Sequence, residues 1–377
     1  MMKSPICDLL GIEFPLVAFT HCRDVVVEVS KAGGMGVLGA AGYDAETLEI
    51  ALNWIDDHID GMPYGVDLIA PTSMAATDDD TRDTMIARVP DEHRQYAVNV
   101  LAEHGIEAGD VYDKARTGVA GGFLTENKAT NIIDVAFSHP IKLIANALGV
   151  PPKYMLEMGK ARGVAVAALV GAKEHAIKQV EAGVDILVVS GTEAGGHCGE
   201  VSTMVLVPEV VDAVAHSNVG ILAAGGIVTG RQMAACMAMG AHGAWTGSMW
   251  LTTTEAETSP VVKEKYTQAT SRQTVRSKYR TGKYSRQLRS AWTDAWEDDN
   301  APEPLPMPLM SLISEPALTR VAKLAEGGHP GARNLSTYFV GQGVGLMNEI
   351  QDTRVVMREF MEDYLAATER LSATLAD

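Results

Sequence analysis

The sequence predicts an α/β protein in which eight parallel strands close into a (β/α)8 TIM barrel, with a helical insertion after strand 3 and a helical C-terminal extension. Three observations support this fold class. Eight short apolar runs alternate with helical patterns, the 377 residues exceed the roughly 250 of one barrel, and the chain is 46% hydrophobic with 36 glycines. Parallel strands covered by helices on both faces need such apolar runs. An open, doubly wound sheet is the structural alternative.

The eight predicted strands are residues 14–19, 36–38, 64–70, 141–145, 164–170, 185–190, 219–224 and 243–247. Helical patterns follow several of them, at 25–32, 45–59, 172–182 and 231–239. This alternation is typical of βαβ units. The barrel is therefore assigned to residues 1–71 and 140–258.

Two further segments surround the predicted barrel. Residues 72–139 show no clean period and are interpreted as an insertion that forms a lid, a channel or a dimer surface. Residues 259–377 form the C-terminal extension, which is polar and punctuated by prolines up to 308. Its last helix, 354–376, is amphipathic and is expected to pack on the barrel or on a second subunit. The side chains expected to share its buried stripe are Val355, Phe360, Tyr364, Leu365, Leu371 and Leu375.

Charge and composition exclude several classes of partner. A formal charge of −17 argues against nucleic acid, and the one basic stretch, 272–289, is interpreted as a solvated helical face. No apolar run is long enough to span a membrane and no secretory signal is present, so a cytoplasmic protein is expected. The four cysteines are dispersed and form no CxxC pair, so neither a disulfide framework nor a metal site is expected.

Glycine-rich turns after the seventh and eighth runs indicate a phosphate site. Ala224, Gly225 and Gly226 follow the seventh run, and Gly247 and Ser248 follow the eighth. Such glycines let backbone N–H groups approach an anion, and barrels recurrently hold phosphate at these two loops. The alternative is that the glycines only make tight turns.

The loop after the sixth run, 190–199, carries the strongest candidate for catalysis. It includes Ser190, Gly195, Gly196 and His197, and it is too rich in glycine to be helical. A histidine at the barrel mouth can exchange a proton near neutral pH, whereas elsewhere it would be an ordinary surface residue. The neighbouring Cys198 has no evident partner base and is interpreted as a bystander thiol.

Polar residues also follow the first run and interrupt the third. His21 and Arg23 are candidates for binding an anionic substrate, although a Thr20 helix cap with ordinary surface charges is an equal alternative. Asp67 lies within the third run, where a carboxylate needs a partner. Either it lies beneath a ligand or it forms an internal ion pair.

Taken together, the glycine motifs at 33–36, 193–197, 223–227 and 247–248 resemble the nitronate monooxygenase family, formerly called 2-nitropropane dioxygenases, and the separate tail motif at 341–345 is also similar to that family. The resemblance covers residues 5–255 and implies non-covalent FMN, an anionic nitronate as substrate, and O₂ as the final oxidant. It places the FMN phosphate at Gly225, Gly226, Gly247 and Ser248, with His197 as the catalytic histidine over the flavin. The residues expected along the rest of the cofactor are Ala18, Phe19, Thr20, Asp67, Ser190, Gly195, Gly196 and Ala224.

Two departures from the family pattern leave the substrate open. Relatives carry a proline-methionine or glycine-methionine segment where this chain has AFTHCRD at 18–24, and an asparagine where it has Asp67. The same architecture serves NAD(P)H-dependent reductases of quinones, enoyl thioesters or acyl-CoA ring substrates, which is the first alternative function. A barrel that binds a phosphate-bearing ligand without redox turnover is the second. The expected partner is a small-molecule substrate, and a homodimer is a candidate assembly.

Overall fold

The computed structural model describes residues 3–70, 82–112 and 126–374. Its strands, in chain order, are β1 (Leu16–Thr20), β2 (Met35–Gly39), β3 (Tyr64–Leu68), β4 (Leu143–Asn146), β5 (Ala165–Val170), β6 (Ile186–Ser190), β7 (Gly196–His197), β8 (Gly220–Ala224), β9 (Gly243–Thr246), β10 (Thr274–Ser277) and β11 (Ser285–Leu288). Strands β1 to β6, β8 and β9 pair in parallel and close a barrel, with β9 beside β1. The predicted fold class is confirmed, and the open sheet is excluded.

The helices were expected between the strands and after the last of them. They are α1 (Pro5–Leu10), α2 (Arg23–Lys31), α3 (Ala45–His58), α4 (Arg82–Ile86), α5 (Asp91–Glu103), α6 (Glu126–Ser138), α7 (Lys153–Arg162), α8 (Lys173–Ala182), α9 (Thr203–Ala213), α10 (Gly230–Ala238), α11 (Pro260–Gln268), α12 (Ala291–Trp296), α13 (Leu309–Glu326), α14 (Pro330–Leu335) and α15 (Thr353–Ala373). Two short 3₁₀ helices cover Ser248–Thr252 and Gln342–Leu346. None of the helices in the described ranges is long and apolar enough to cross a membrane.

Side chains of the barrel strands alternate between the lumen and the helix layer. Val17 belongs to the apolar cluster that fills the lumen, whereas Leu16 and Ala18 belong to a cluster shared with helices. On β3, Tyr64, Val66 and Leu68 also face helices. Because successive side chains of a strand point to opposite faces, the side chain of Asp67 faces the lumen.

The described part of the predicted insertion divides between two cores. Helix α6 lies within 72–139 but packs with α3 and α7 in the helix layer of the barrel. Helices α4 and α5 instead share an apolar core with α12, α13 and α14 of the C-terminal extension. The hydroxyl of Tyr96 and the ring of His93 also contact backbone carbonyls of the extension, at Ala295 and Glu303. The two additions to the barrel therefore form one helical layer.

The last helix packs on the barrel, as one of the two sequence interpretations expected. Phe360 and Tyr364 are buried against α10, where a Cβ on Gly230 would lie 1.9 Å from the Phe360 carbonyl oxygen. Leu365 and Leu371, however, are 55% and 51% exposed. The predicted stripe was therefore wrong at these two positions, and Leu375 lies outside the described residues. The buried face follows the 3.6-residue period along Thr353, Met357, Phe360, Met361, Tyr364 and Ala367.

The basic stretch 272–289 is not a helical face, so that prediction was wrong. Strands β10 and β11 form an antiparallel hairpin, and β11 pairs with β7 to complete a three-stranded sheet. Ser285 lies opposite His197 in this sheet. The burial of β11 depends on that pairing, which joins residues far apart in sequence and so leaves no local apolar period. The C-terminal extension thereby holds the loop that carries His197.

Candidate functional site

His197 lies on β7 above the lumen and is fixed from the hairpin. Its Nε2 lies 2.8 Å from the Thr281 hydroxyl, and the backbone N–H of the next residue, Cys198, donates to the carbonyl of Tyr284. Nδ1 of His197 has no hydrogen-bond partner among the described residues. The ring is therefore held at one nitrogen and free at the other, which suits a group that contacts a substrate.

The environment of His197 favours its neutral form. Burial among protein atoms, and then the nearby Lys283 ammonium, lower the pKa of His197 from 6.5 to about 4. The residue nevertheless keeps a large solvent-exposed surface, as a group on the wall of an open cleft does. Water at that surface opposes desolvation, and a lowered pKa leaves the ring uncharged at neutral pH.

Asp67 stands on β3 at the upper end of the lumen and is 3% exposed. Its Oδ1 makes no hydrogen bond, and no ion pair to it is present among the described residues. Burial raises its pKa well above the usual value of 3.8. The ion-pair interpretation is therefore excluded for the described part of the chain. A protonated carboxyl with an unused oxygen instead suits a position beneath a polar ligand.

Three residues at the end of β1 were predicted to contact the cofactor, and the structure places each of them differently. Phe19 faces the lumen, where its ring lies 6.3 Å from that of Trp245 and 5.1 Å from that of His21. Ala18 faces the helices, so only its backbone can reach a ligand in the lumen. The Thr20 hydroxyl accepts a hydrogen bond from the N–H of Cys22, which is itself the N-cap of α2, so Thr20 supports the turn before the helix and the predicted Thr20 cap was wrong.

His21 and Arg23 were predicted to bind an anion, and the structure separates them. Nδ1 of His21 donates to the Gly39 carbonyl at 2.9 Å, while the residue stays solvent-exposed at the mouth. Burial lowers the pKa of His21, so its free Nε2 is an uncharged acceptor. The guanidinium of Arg23 instead stacks on Trp54 of α3, 4.4 Å from the ring centre. Arg23 thus lies in the helix layer.

The predicted phosphate turns meet at the same edge of the barrel. Gly225 and Gly226 adopt left-handed backbone angles, with φ of 100° and 72°. Their N–H groups have no acceptor among the described hydrogen bonds, and a Cβ on Gly247 would meet nothing nearer than the Phe19 ring at 3.9 Å. Unused N–H donors on one turn, with open space at Gly247 on the neighbouring turn, suit the binding of a phosphate.

The loop after β6 closes over this edge. Ser190 and Ala224 are paired neighbours on β6 and β8. The carboxylate of Glu193 accepts hydrogen bonds from the N–H and hydroxyl of Thr203, which ties the loop to the start of α9. Gly195 and Gly196 follow, and Gly196 has a φ of 72°.

A second glycine motif completes the closure. The N–H of Gly341 donates to the Ser248 hydroxyl at 2.8 Å, and the N–H of Gln342 donates to the Glu193 carbonyl. A Cβ on Gly195 would lie 2.7 Å from the Gly341 nitrogen, so only glycine allows this approach. The tail motif 341–345 therefore packs against both the loop of His197 and the turn of Ser248.

These residues fit a flavin nucleotide. The unused N–H groups at Gly225 and Gly226 suit its phosphate, and the orphaned oxygen of buried Asp67 suits a polar edge of its ring. Within the described residues, no group of histidine, cysteine and carboxylate side chains could hold a metal ion. Burial raises the pKa of the Cys198 thiol, so this side chain is not poised as a thiolate.

Sequence reasoning missed Thr281 and Lys283. Thr281 lies 84 residues beyond His197, in the turn between β10 and β11. No local pattern marks it, because its role depends on the hairpin folding back onto β7. The tail motif at 341–345 was the available signal for the closing segment, since its glycines recur without a helical or strand period.

Comparisons with known proteins agree with this geometry. A family model described as nitronate monooxygenase matches residues 3–363. A protein of Mycobacterium tuberculosis named as a monooxygenase is 50% identical over 370 residues, which are 97% of each chain. A probable nitronate monooxygenase of Staphylococcus saprophyticus is 27% identical over 320 residues, 80% of this chain and 83% of that one.

A solved structure of nitroalkane oxidase from Streptomyces ansochromogenes is similar in fold, with a TM-score of 0.77 at 21% identity. The match covers 97% of this chain and 99% of that chain. The likeness to this structure concerns the fold, whereas the family match spans nearly the whole sequence. The chain therefore belongs to the nitronate monooxygenase family and is an FMN-dependent oxidoreductase.

Proposed function

We propose that this protein oxidises a small anionic nitronate at the barrel mouth, with FMN held between the lumen and the loop of His197. The observation that carries the proposal is His197, which is uncharged, fixed at Nε2 and free at Nδ1 above the lumen. When bound, FMN would supply the electron acceptor that the protein side chains lack.

The residues that would hold FMN are those with unused polar groups. The N–H groups of Gly225 and Gly226, with the turn at Gly247 and Ser248, would bind the phosphate. Phe19 and Asp67 line the upper lumen, where the ring would lie. Burial raises the pKa of Asp67, which favours the protonated carboxyl, and that form can donate a hydrogen bond, which an ionised carboxylate cannot.

The Thr281 hydroxyl determines which nitrogen of His197 carries the ring proton. The N–H of Lys283 donates into the Thr281 hydroxyl, which can donate in turn to Nε2 of His197 at 2.8 Å or to the Lys283 carbonyl at 3.1 Å. In the shorter arrangement Nε2 accepts, so Nδ1 carries the ring proton. Nδ1–H would then donate to a nitronate oxygen, and Lys283 would add attraction for the anion.

The test begins with the purified protein, whose visible spectrum should show bound flavin. Anaerobic mixing with a nitronate, NADH and NADPH in parallel should give fastest flavin reduction with the nitronate. His197→Ala should keep the flavin and lose about 10² to 10⁴ of turnover, as removal of a proton-transfer group does. The matched control is His175→Ala, at an exposed position on α8. A colourless protein that binds no added FMN, or full turnover in His197→Ala, would contradict the proposal.

Reduction by NAD(P)H, a homodimer and a cytoplasmic location stay predictions from the sequence. The parallel nicotinamide arms of the same experiment test the first of them. The oligomeric state is measurable by light scattering on the same preparation. Each outcome is measured separately from the nitronate reaction, and the contact that fixes His197 comes from Thr281 of the same chain.

A further inference from the structure

The hairpin beside His197 concentrates positive charge in an otherwise acidic protein. The segment 272–289 contains no acidic residue, and its cations are Arg272, Arg276, Lys278, Arg280, Lys283, Arg286 and Arg289. The whole chain carries 31 lysines and arginines against 48 aspartates and glutamates. A run of like charges repels itself and lowers stability unless each charge has a partner or a ligand. The partners of these cations therefore decide what the segment is for.

Three of the cations have structural partners. Arg280 is buried and pairs with Glu315, and Arg289 pairs with Asp294 at the surface. Arg286 is buried and donates to the Thr192 carbonyl and the Thr274 hydroxyl, which holds the hairpin against the loop of His197. These residues stabilise the sheet and are unavailable to a ligand.

A second group of cations lacks such partners and faces the mouth. Lys278 and Lys283 are exposed and form no ion pair with a described residue. Arg276 reaches Glu200 only at 3.5 Å, that glutamate is 80% exposed, and Nε of Arg276 has no partner. We call Arg276, Lys278, Lys283 and the exposed Tyr284 the hairpin patch.

The hairpin patch is a compact cationic surface around one aromatic ring. The Arg276 guanidinium lies 4.0 Å and the Lys278 ammonium 4.7 Å from the centre of the Tyr284 ring. Lys283 is adjacent in sequence and close enough to His197 to lower its pKa. The nearest acid of the loop, Glu193, already accepts hydrogen bonds from Thr203. Among the described residues, the exposed carboxylate of Glu200, 3.5 Å from Arg276, is the one acid that pairs with the patch.

We propose that the hairpin patch binds the phosphate groups of an organic ligand whose reactive end lies at His197. One cation is sufficient for a small nitronate, and Lys283 supplies it beside His197. Arg276 and Lys278 add charge at Tyr284, and phosphates combine multiple negative charges with oxygens that arginine and lysine recognise. Two ligands carry this chemistry, a nicotinamide dinucleotide and a coenzyme A thioester. This proposal depends on the proposed function only for the position of the reactive end of the ligand, beside His197 and the flavin.

The experiment measures binding directly on the flavin-loaded protein by calorimetry. The probes are NADPH, NADH and coenzyme A, each at two salt concentrations. We expect NADPH or coenzyme A to bind, with an affinity that falls as salt rises. Lys278→Gln/Lys283→Gln should weaken that binding by about tenfold, because each exposed cation contributes modestly. A double variant on α7, Lys153→Gln/Lys160→Gln, removes the same charge from exposed positions elsewhere and should bind as the wild type does.

Comparison of the three probes distinguishes a nicotinamide dinucleotide from a coenzyme A thioester. Preference for NADPH over NADH, lost in the hairpin variant, identifies the dinucleotide, whereas selective loss of coenzyme A binding identifies the thioester. Absence of binding by both NADPH and coenzyme A would overturn the proposal, as would equal affinity in the hairpin variant and the wild type. A protein that oxidises nitronates but binds neither probe would refute the hairpin patch alone. A protein that binds a probe but fails to oxidise nitronates would refute only the proposed reaction.

Discussion

Two histidines at opposite ends of the barrel differ in how their rings are held, which matches the roles we propose for them, structural for His139 and catalytic for His197. His139 lies at the N-terminal end, with a side chain that is 5% exposed and contacts at both nitrogens. Nδ1 lies 2.6 Å from Asp56, and Nε2 lies 3.3 Å from Glu49. His197, at the C-terminal end, has one hydroxyl partner, an exposed surface and a free nitrogen.

The polar groups around His139 are also more fully paired than those at the end of the barrel that carries His197. The Tyr64 hydroxyl donates to Asp56 at 2.7 Å, so the cluster around His139 joins β3, α3 and the chain after α6. A cavity of about 360 Å³ lies nearby, lined by Leu10, Asp56, Tyr64 and Lys142 among others. It is lined by groups from the barrel floor, whereas the unused polar groups Asp67, Gly225 and Gly226 lie at the other end. The polar side chains around His139 are paired with one another, whereas Asp67, Gly225 and Gly226 keep unused polar groups.

The largest stability effect that tests this comparison should come from His139→Ala. Its removal deprives the carboxylates of Asp56 and Glu49 of the imidazole, while the Tyr64 hydroxyl still donates to Asp56, so we expect a loss of about 1–3 kcal/mol in the free energy of unfolding. Flavin content and turnover of the folded protein should change little. Urea denaturation measures the loss, and His197→Ala, which removes a single hydroxyl contact, is the control that should stay near the wild type. A reversed pattern would refute the division of roles.

Asp67→Asn tests the protonated carboxyl at the mouth. Burial raises the pKa of Asp67 above its unfolded value, so the folded state keeps a proton that the unfolded state releases. Wild-type stability should therefore fall, by at most about 1.4 kcal/mol per pH unit, as pH rises from near the unfolded pKa towards the folded one. Asparagine carries no titrating proton and lacks this loss.

The measurement is the stability of both proteins, freed of flavin, from about pH 5 to 8. The free energy of unfolding of Asp67→Asn should increase relative to that of the wild type as pH rises. Asp57→Asn, at an exposed position on α3, should keep a constant difference from the wild type. If Asp67→Asn also gives a constant difference, Asp67 is ionised in the folded state and the argument for a protonated donor fails.

The smallest effect is expected from Thr281→Val, which removes the group that positions His197. The loss of one neutral hydrogen bond, about 0.5–1.5 kcal/mol, should lower turnover by up to about tenfold. Because valine cannot orient the ring proton, the pH dependence of kcat/KM should also shift. Thr281→Ser should restore both properties. Valine and serine variants with the same profile would show that Thr281 acts only through packing.

The sequence predicted the barrel because its strands are buried on both faces and therefore appear as uninterrupted apolar runs. It also placed Gly225, Gly226, Gly247 and Ser248 at one edge, and the structure brings these turns together there. The order of the strands along the chain is sufficient for this inference, because the carboxyl ends of all parallel strands meet at one face of a barrel. His197 could be located near that face for the same reason.

Tertiary structure alone decided which side chains surround His197. The hairpin 274–288 was expected to be a helical face, and its contact with β7 crosses more than 70 residues of chain. The orientation of Arg23 towards Trp54 and the isolation of the Asp67 carboxyl are likewise set by packing against distant elements. Burial period and strand order are local properties that a sequence displays. Partners, protonation and exposure depend on which distant segments fold together, and only the folded chain determines them.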